Sequence, residues 1–203
     1  MLLARIDSKK IDTSTLKKAV AILKHGGLVV YPTETAYALG CDPENAGAMK
    51  KLFSLKKRDA SKPLPMIAAS LSMARRFVKL DRYASMLANA FWPGPLTLVA
   101  PAMKEKKWLA VRVSPAPWAQ ALSLGLGTPI ISTSANLSGH KTPYDAAAIL
   151  RDLGAFPDVV LDAGVLKTVL PSTIVRAEGG VMQLLRQGAI TEEDIHRELM
   201  KRL

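Results

Sequence analysis

Cysteine is almost missing from this chain. Cys41 is the one cysteine in 203 residues, so no intramolecular disulfide can form and a reducing, cytoplasmic setting is expected. Aromatic residues make up only 5%, and no platform for stacking bases is evident. His25, His140 and His196 stand far apart with no cysteine at ligand spacing, which argues against a structural zinc site and leaves no metal-ligating residues to name. No G-x-x-x-x-G-K-[ST] occurs, which excludes a P-loop. Gly125-Leu-Gly127 runs into Pro129 before a third glycine, which argues against a dinucleotide-binding turn. Ser132, Ser134 and Ser138 lack the G-x-S-x-G elbow of serine hydrolases. Tyr83–Met103 and Ser114–Gly139 carry no charge, but prolines and glycines break both, so neither is expected to span a membrane. The apolar part of Met1-Leu-Leu-Ala-Arg-Ile-Asp7 is too short for a signal peptide.

Acidic residues are also in short supply, 17 against 28 basic ones. The net charge of +11 predicts attraction to polyanions: nucleotide phosphates, RNA or both. The competing reading is a basic, solvated surface. Apolar content of 49% and charged content of 22% are ordinary for a globular protein. With no linker, repeat or low-complexity tract, one domain over residues 1–203 is expected, its core at about 12–190 and a C-terminal helix at about 191–202.

Two segments stand out, Tyr31-Pro-Thr-Glu-Thr-Ala-Tyr-Ala-Leu-Gly40 and Ser132-Thr-Ser-Ala-Asn-Leu-Ser-Gly139. Each follows a short apolar run that reads as a buried strand, Leu28–Val30 or Pro129–Ile131, and each then turns to hydroxyls, glycine and a carboxylate or amide. Strand ends are where open α/β sheets bind ligands, and small hydroxyls with exposed backbone N–H groups suit phosphate or carboxylate oxygens. Around them the pattern predicts helices from Thr13 or Ser14 to His25, and over Asn45–Lys57, Ser72–Val78, Tyr83–Phe91, Trp118–Leu124, Tyr144–Leu153 and Thr191–Lys201. It predicts strands at Leu28–Tyr31, Pro65–Ala69, Leu96–Pro101, Leu109–Val113, Ile130–Thr133, Val159–Asp162, Thr173–Ala177 and Val181–Arg186. Helices alternate with strands and with hairpins, so the fold class is α/β with a mixed sheet. Cys41 reads as a small packed side chain.

Between the two segments lies Leu55-Lys-Lys-Arg-Asp-Ala-Ser-Lys-Pro-Leu64. At a helix end running into a loop, Lys56, Arg58 and Lys62 can converge on one phosphate chain. The bland alternative is a solvated cluster that the helix dipole favours by about 0.3–1 kcal/mol. The order of motifs decides between them. Tyr-Pro-Thr-Glu-Thr, Lys56-x-Arg58 with Pro63-Leu64, Trp92-Pro-Gly-Pro-Leu-Thr97, Val111-Arg-Val113, Ser134-Ala-Asn-Leu-Ser-Gly139, Ser172-Thr173 and Arg186-x-Gly188 follow one another as in the YrdC-like family. The chain resembles that family, the threonylcarbamoyl-adenylate synthases and their YciO-type relatives, over about residues 12–190.

The resemblance implies a twisted mixed sheet with flanking helices around a large basic cavity. It implies a nucleotidyltransferase that joins L-threonine, bicarbonate or CO2, and ATP, with Mg2+ assisting, into threonylcarbamoyl-AMP and pyrophosphate. A downstream tRNA threonylcarbamoyltransferase then modifies adenosine 37 of tRNA; tRNA or double-stranded RNA is a further expected partner, and a membrane is not. Carried over by position, Lys56, Arg58 and Ser134 are the catalytic candidates. Thr33, Thr35, Arg112 and Ser172 are implied at threonine. Arg58, Lys62, Ser132, Ser134, Asn136, Thr142 and Arg186 are implied at the nucleotide. The chain departs from the family at Asp59, where proline is common, at Lys62, where asparagine is frequent, at Ala38, where glycine is frequent, and at Ile67, where synthases often place a substrate-contacting histidine. Ile67 and Asp59 keep open a YciO-type relative with weak or altered adenylate or modified-tRNA activity, and the net charge of +11 keeps open an RNA-binding translation or ribosome-assembly factor.

Overall fold

A computed structural model describes residues 1–60, 63–179 and 181–201. In chain order the first elements are β1 (Leu2–Arg5), α1 (Thr13–Lys24), β2 (Val29–Pro32), β3 (Tyr37–Gly40), α2 (Ala46–Lys56), β4 (Met66–Ala68), α3 (Leu71–Phe77) and α4 (Arg82–Phe91). Then come β5 (Leu96–Pro101), β6 (Trp108–Val113), α5 (Pro117–Leu126), β7 (Ile130–Ile131), β8 (Thr133–Ser134) and α6 (Ala146–Leu153). The chain closes with β9 (Val159–Asp162), β10 (Thr173–Glu178), β11 (Val181–Arg186) and α7 (Glu192–Met200).

The strands form two mixed sheets, ordered β1-β9-β2-β3-β8 and β11-β10-β5-β6-β4-β7. Polar side chains set the helix starts. Asp12 caps α1 by accepting from Thr15 N at 2.6 Å, one residue ahead of the expected Thr13, because its carboxylate meets the orphan N–H groups of the first turn. Asn45 caps α2, and Thr191 with Asp194 closes the capping box foreseen for α7.

Three features depart from the sequence reading. Strand β1 lies parallel to β9 and was not foreseen. Tyr37–Gly40, read as part of a polar stretch, folds back as β3 on β2, with Val30 opposite Leu39. The single strand expected over Ile130–Thr133 is divided: β7 pairs with β4 in the second sheet and β8 with β3 in the first. Ser132 is the crossing point, its N–H bonded to Pro65 O at 2.8 Å. Backbone pairing alternates direction along an extended chain, so one segment can serve two sheets that meet at an angle.

The first sheet is covered on both faces. Leu39, Leu52, Ile149 and Val160 pack on one side, and Leu23, Tyr31, Trp118, Leu122 and Val159 on the other. Helices α4 and α7 cover the outer face of the second sheet through Leu87, Leu96, Leu98, Val175 and Ile195. Cys41 is buried in the first of these cores, where burial pushes its thiol up to about 12, so it stays a protonated packing group.

Candidate active site

The inner face of the second sheet and the ends of β2, β3 and β8 enclose a cavity of about 480 Å³, within the usual range for small-molecule sites. On the first sheet, the turn between β2 and β3 is built around the Thr33 hydroxyl. It donates to Ala36 O at 2.6 Å and accepts from the Thr35 and Ala36 N–H groups at 3.2 Å. That leaves Thr35, 3.1 Å away through its own hydroxyl, as the side chain with hydrogen-bonding capacity to offer inward.

The Ser132–Ser134 wall is held from behind. Lys56, at the end of α2 and 1% exposed, donates to Ser134 O at 2.5 Å and Asn136 O at 2.6 Å. Asn136 Oδ1 accepts from Ser134 Oγ at 2.6 Å, and Asn136 Nδ2 donates to His140 O at 2.6 Å. From α6, Asp152 accepts from Leu137 N at 2.7 Å and bonds the His140 ring at 2.7 Å. Hydrogen bonds from His140 and Leu137 hold the Asp152 carboxyl below its ordinary value. Burial, with Arg58 nearby, lowers the Lys56 ammonium to about 8.

On the second sheet, Arg112 projects from β6 into the cavity. Burial, with Arg186 close by, pulls its guanidinium down to about 10, leaving it charged at neutral pH. Glu34 Oε1 accepts from Arg112 Nη1, and Glu34 Oε2 from Ser114 Oγ. Arg186 donates through Nε and Nη2 to Ser172 O at 3.1 and 2.8 Å, and through Nη2 to Ser172 Oγ at 3.0 Å. Ser172 Oγ in turn meets Thr97 Oγ1 at 3.0 Å. The chain after Arg186 presses so tightly on this segment that a Cβ on Gly188 would lie 2.3 Å from Pro171 O. Arg58 donates to Pro63 O at 3.1 Å, while its Nε is buried with no partner among the described residues.

Thr33, Thr35, Arg58, Arg112, Ser132, Ser134, Thr142, Ser172 and Arg186, far apart in sequence, therefore line one cavity. Lys56 and Asn136, expected at the ligand, stand behind the wall instead, because their polar atoms are consumed in fixing the backbone of the Ser134–His140 loop. Lys62 lies outside the described residues. Ile67 is fully buried beside Trp118 and Tyr31, and pairs in register with Arg112, so it shares the inner face of the sheet. Sequence reasoning gave no role to Glu34, although its flanking threonines were singled out. Asp152 carried no local signal, since its partners arrive from a different loop.

Three guanidinium groups face the cavity, and none of the described lining residues is acidic. Among the described residues there is no group of three or more His, Cys, Asp or Glu that could hold a metal ion. This donor set suits anions and does not form a protein cage for Mg2+. No helix is long and apolar enough to cross a membrane, among the described residues.

The sequence profile of Sua5_yciO_yrdC, described as "Telomere recombination", matches residues 21–188. The chain is 37% identical over 188 residues to a threonylcarbamoyl-AMP synthase of Xanthomonas euvesicatoria, covering 86% of this chain and 98% of that protein. It is 40% identical over 164 residues to the Thiobacillus denitrificans protein of the same name, covering 76% and 87%. Among solved structures, P. abyssi Sua5 complexed with L-threonine superposes with a TM-score of 0.90 at 30% identity, covering 98% of this chain. The chain spans 61% of that longer protein. E. coli YciO superposes with a TM-score of 0.83 at 27% identity, covering 93% of this chain and 97% of that one.

Proposed function

Because this chain belongs to the Sua5/YciO/YrdC family, we propose that it is a threonylcarbamoyl-AMP synthase, a transferase-class enzyme of the nucleotidyltransferase type acting on L-threonine, bicarbonate or CO2, and ATP. One observation carries the reading: Arg58, Arg112 and Arg186 converge with small hydroxyls on one cavity whose described lining holds no carboxylate. The chemistry needs that arrangement. The threonine amine adds to CO2 and loses a proton, giving a carbamate. A carbamate oxygen then attacks the α-phosphorus of ATP, the bond to the β-phosphate breaks, and pyrophosphate leaves. The nucleophile is already an anion, so the protein's task is to hold two anions together and offset their repulsion, which fixed cations and donors do.

In this reading Arg58 and Ser134 meet phosphate and carbamate oxygens, with Ser132, Thr142 and Arg186 on the nucleotide. For Lys62, which is outside the described residues, the family pattern implies a role toward the triphosphate. Arg58 lines the cavity, and its buried Nε has no partner among the described residues. Thr33, Thr35, Ser172 and Arg112 form the threonine side, with the Arg112 fork suited to two carboxylate oxygens. Lys56 and Asn136 act by holding the Ser134 loop in shape. Mg2+ enters as the ion carried on the triphosphate. The product then passes, in the cytoplasm, to an enzyme that modifies adenosine 37 of tRNA, and the net charge of +11 favours contact with that RNA.

Protein supplied with threonine, bicarbonate, Mg2+ and ATP is expected to release pyrophosphate only when all are present. ATP turnover indifferent to threonine and bicarbonate overturns the reading. A YciO-type relative with weakened threonine binding is the second reading. It is favoured by Ile67, which puts an apolar side chain beside Arg112 where a histidine would supply a hydrogen-bonding group. Under it, Ile67→His lowers the KM for threonine; an unchanged KM removes Ile67 as the cause.

A further inference from the structure

The tip of the β2–β3 hairpin carries Glu34 between two lining threonines, and nothing in the reaction above uses it. Its two oxygens accept from Arg112 Nη1 and Ser114 Oγ, tying a hairpin of the first sheet to the end of β6 in the second. The side chains of Arg112 and Glu34 are 7% and 18% exposed, so the pair is largely withdrawn from water while Arg112 still lines the cavity.

An α-amino acid is a poor match for a cavity whose charged lining residues, among those described, are all cations, because it brings an ammonium with its carboxylate. Those two groups are close: the nitrogen and the carboxyl carbon sit about 2.5 Å apart. With Nη1 of Arg112 engaged by Glu34, Nη2 and Nε remain for a ligand carboxylate. Glu34 is not among the residues lining the cavity, but it shares this guanidinium, so an ammonium beside a carboxylate docked there would approach Glu34 along Arg112. Asp162 also touches a lining side chain, the Tyr37 hydroxyl at 3.4 Å, but it is held by Arg5 at 2.8 Å and by Gly164 N–H at 2.8 Å.

We propose that Glu34 is a specificity-determining residue: with Arg112 it forms a charge pair that matches the α-amino acid zwitterion. The ammonium meets Glu34 and the carboxylate meets Arg112. A carboxylic acid without an amine gains the Arg112 contact but meets Glu34 as a like charge, and is disfavoured. This rests on the reading that the amino acid substrate docks at Arg112.

The test is calorimetric binding of L-threonine and of (R)-3-hydroxybutanoate, which is threonine without its amine, to the full chain and to Glu34→Gln. The wild type is expected to bind threonine at least about tenfold more tightly than the amine-free acid. Glu34→Gln keeps the shape and the contact with Ser114 but loses the charge. It is expected to bind threonine more weakly and 3-hydroxybutanoate more tightly, so that the preference collapses. ATP affinity and thermal midpoint, followed in the same samples, report whether the cavity is intact. Equal wild-type affinity for the two acids overturns the proposal, as does a Glu34→Gln change that moves both by the same factor. Should Glu34→Gln not fold, the wild-type ratio alone decides. A wild type that binds no threonine overturns the substrate reading itself, which separates that failure from this one.

Discussion

Lys56 illustrates how one residue's place changes its meaning. In the sequence it is a cation in a basic cluster; in the fold its ammonium is buried under the Ser134–His140 loop, satisfied by carbonyl oxygens. Burial lowers its folded-state value from 10.5 to about 8. Between those two pH values the unfolded chain holds a proton that the folded chain has released, so stability rises with pH across that window. Denaturant unfolding from pH 8 to 10 is expected to show the wild type gaining stability relative to Lys56→Met, the difference growing by up to about 1.4 kcal/mol per pH unit, while the buried Cys41 thiol contributes the opposite slope equally to both. At pH 7 Lys56→Met leaves the Ser134 and Asn136 carbonyls without their donor, at a cost on the order of 1–3 kcal/mol each, read in the same unfolding curves.

At the scale of elements, the site depends on segments that pass very close to one another. The β10–β11 hairpin returns Arg186 to Ser172, and the following turn crosses Pro171 with no room for a side chain at Gly188. The obstructing atoms are backbone, so they cannot swing aside as a side chain would. Gly188→Ala is therefore expected to destabilise the protein by about 1–3 kcal/mol through overpacking. It is also expected to raise the KM for threonine by displacing Ser172, and thermal melts beside steady-state kinetics check both. The divided strand β7–β8 is a second case. Its one-residue crossing at Ser132 serves both sheets, so the hydroxyls of Ser132, Thr133 and Ser134 open on a space that neither sheet encloses alone.

For the whole molecule, the cavity draws its lining from both sheets, so a ligand there binds the assembled fold and not one half of it. Unfolding is expected as a single cooperative transition, which also tests the one-domain reading. ATP at about a hundred times its Kd should shift that transition as a unit, by about 2.7 kcal/mol. Two separate transitions, only one of them moved by ATP, contradict this. The positive charge is also a property of the whole chain, but its effect at the site is local: burial, with Arg186 brought close by the fold, lowers the proton affinity of Arg112, and burial lowers that of Arg186.

By itself the sequence determined the family, the sites of most helices and strands, and which residue types gather in the motifs. Those properties are local: caps, apolar periodicity and short polar runs act over a few residues, and their order along the chain is specific. It also placed Thr33, Thr35, Arg58, Arg112, Ser134, Ser172 and Arg186 among the site residues, all of which line the cavity. Only the tertiary structure decided that Lys56 and Asn136 face the loop behind the wall, that Glu34 pairs with Arg112, and that Asp152 anchors Leu137 and His140. Side-chain direction and buried pairing depend on partners dozens of residues away. They are set by the requirement that each buried polar group find a partner in three dimensions, which no local pattern encodes.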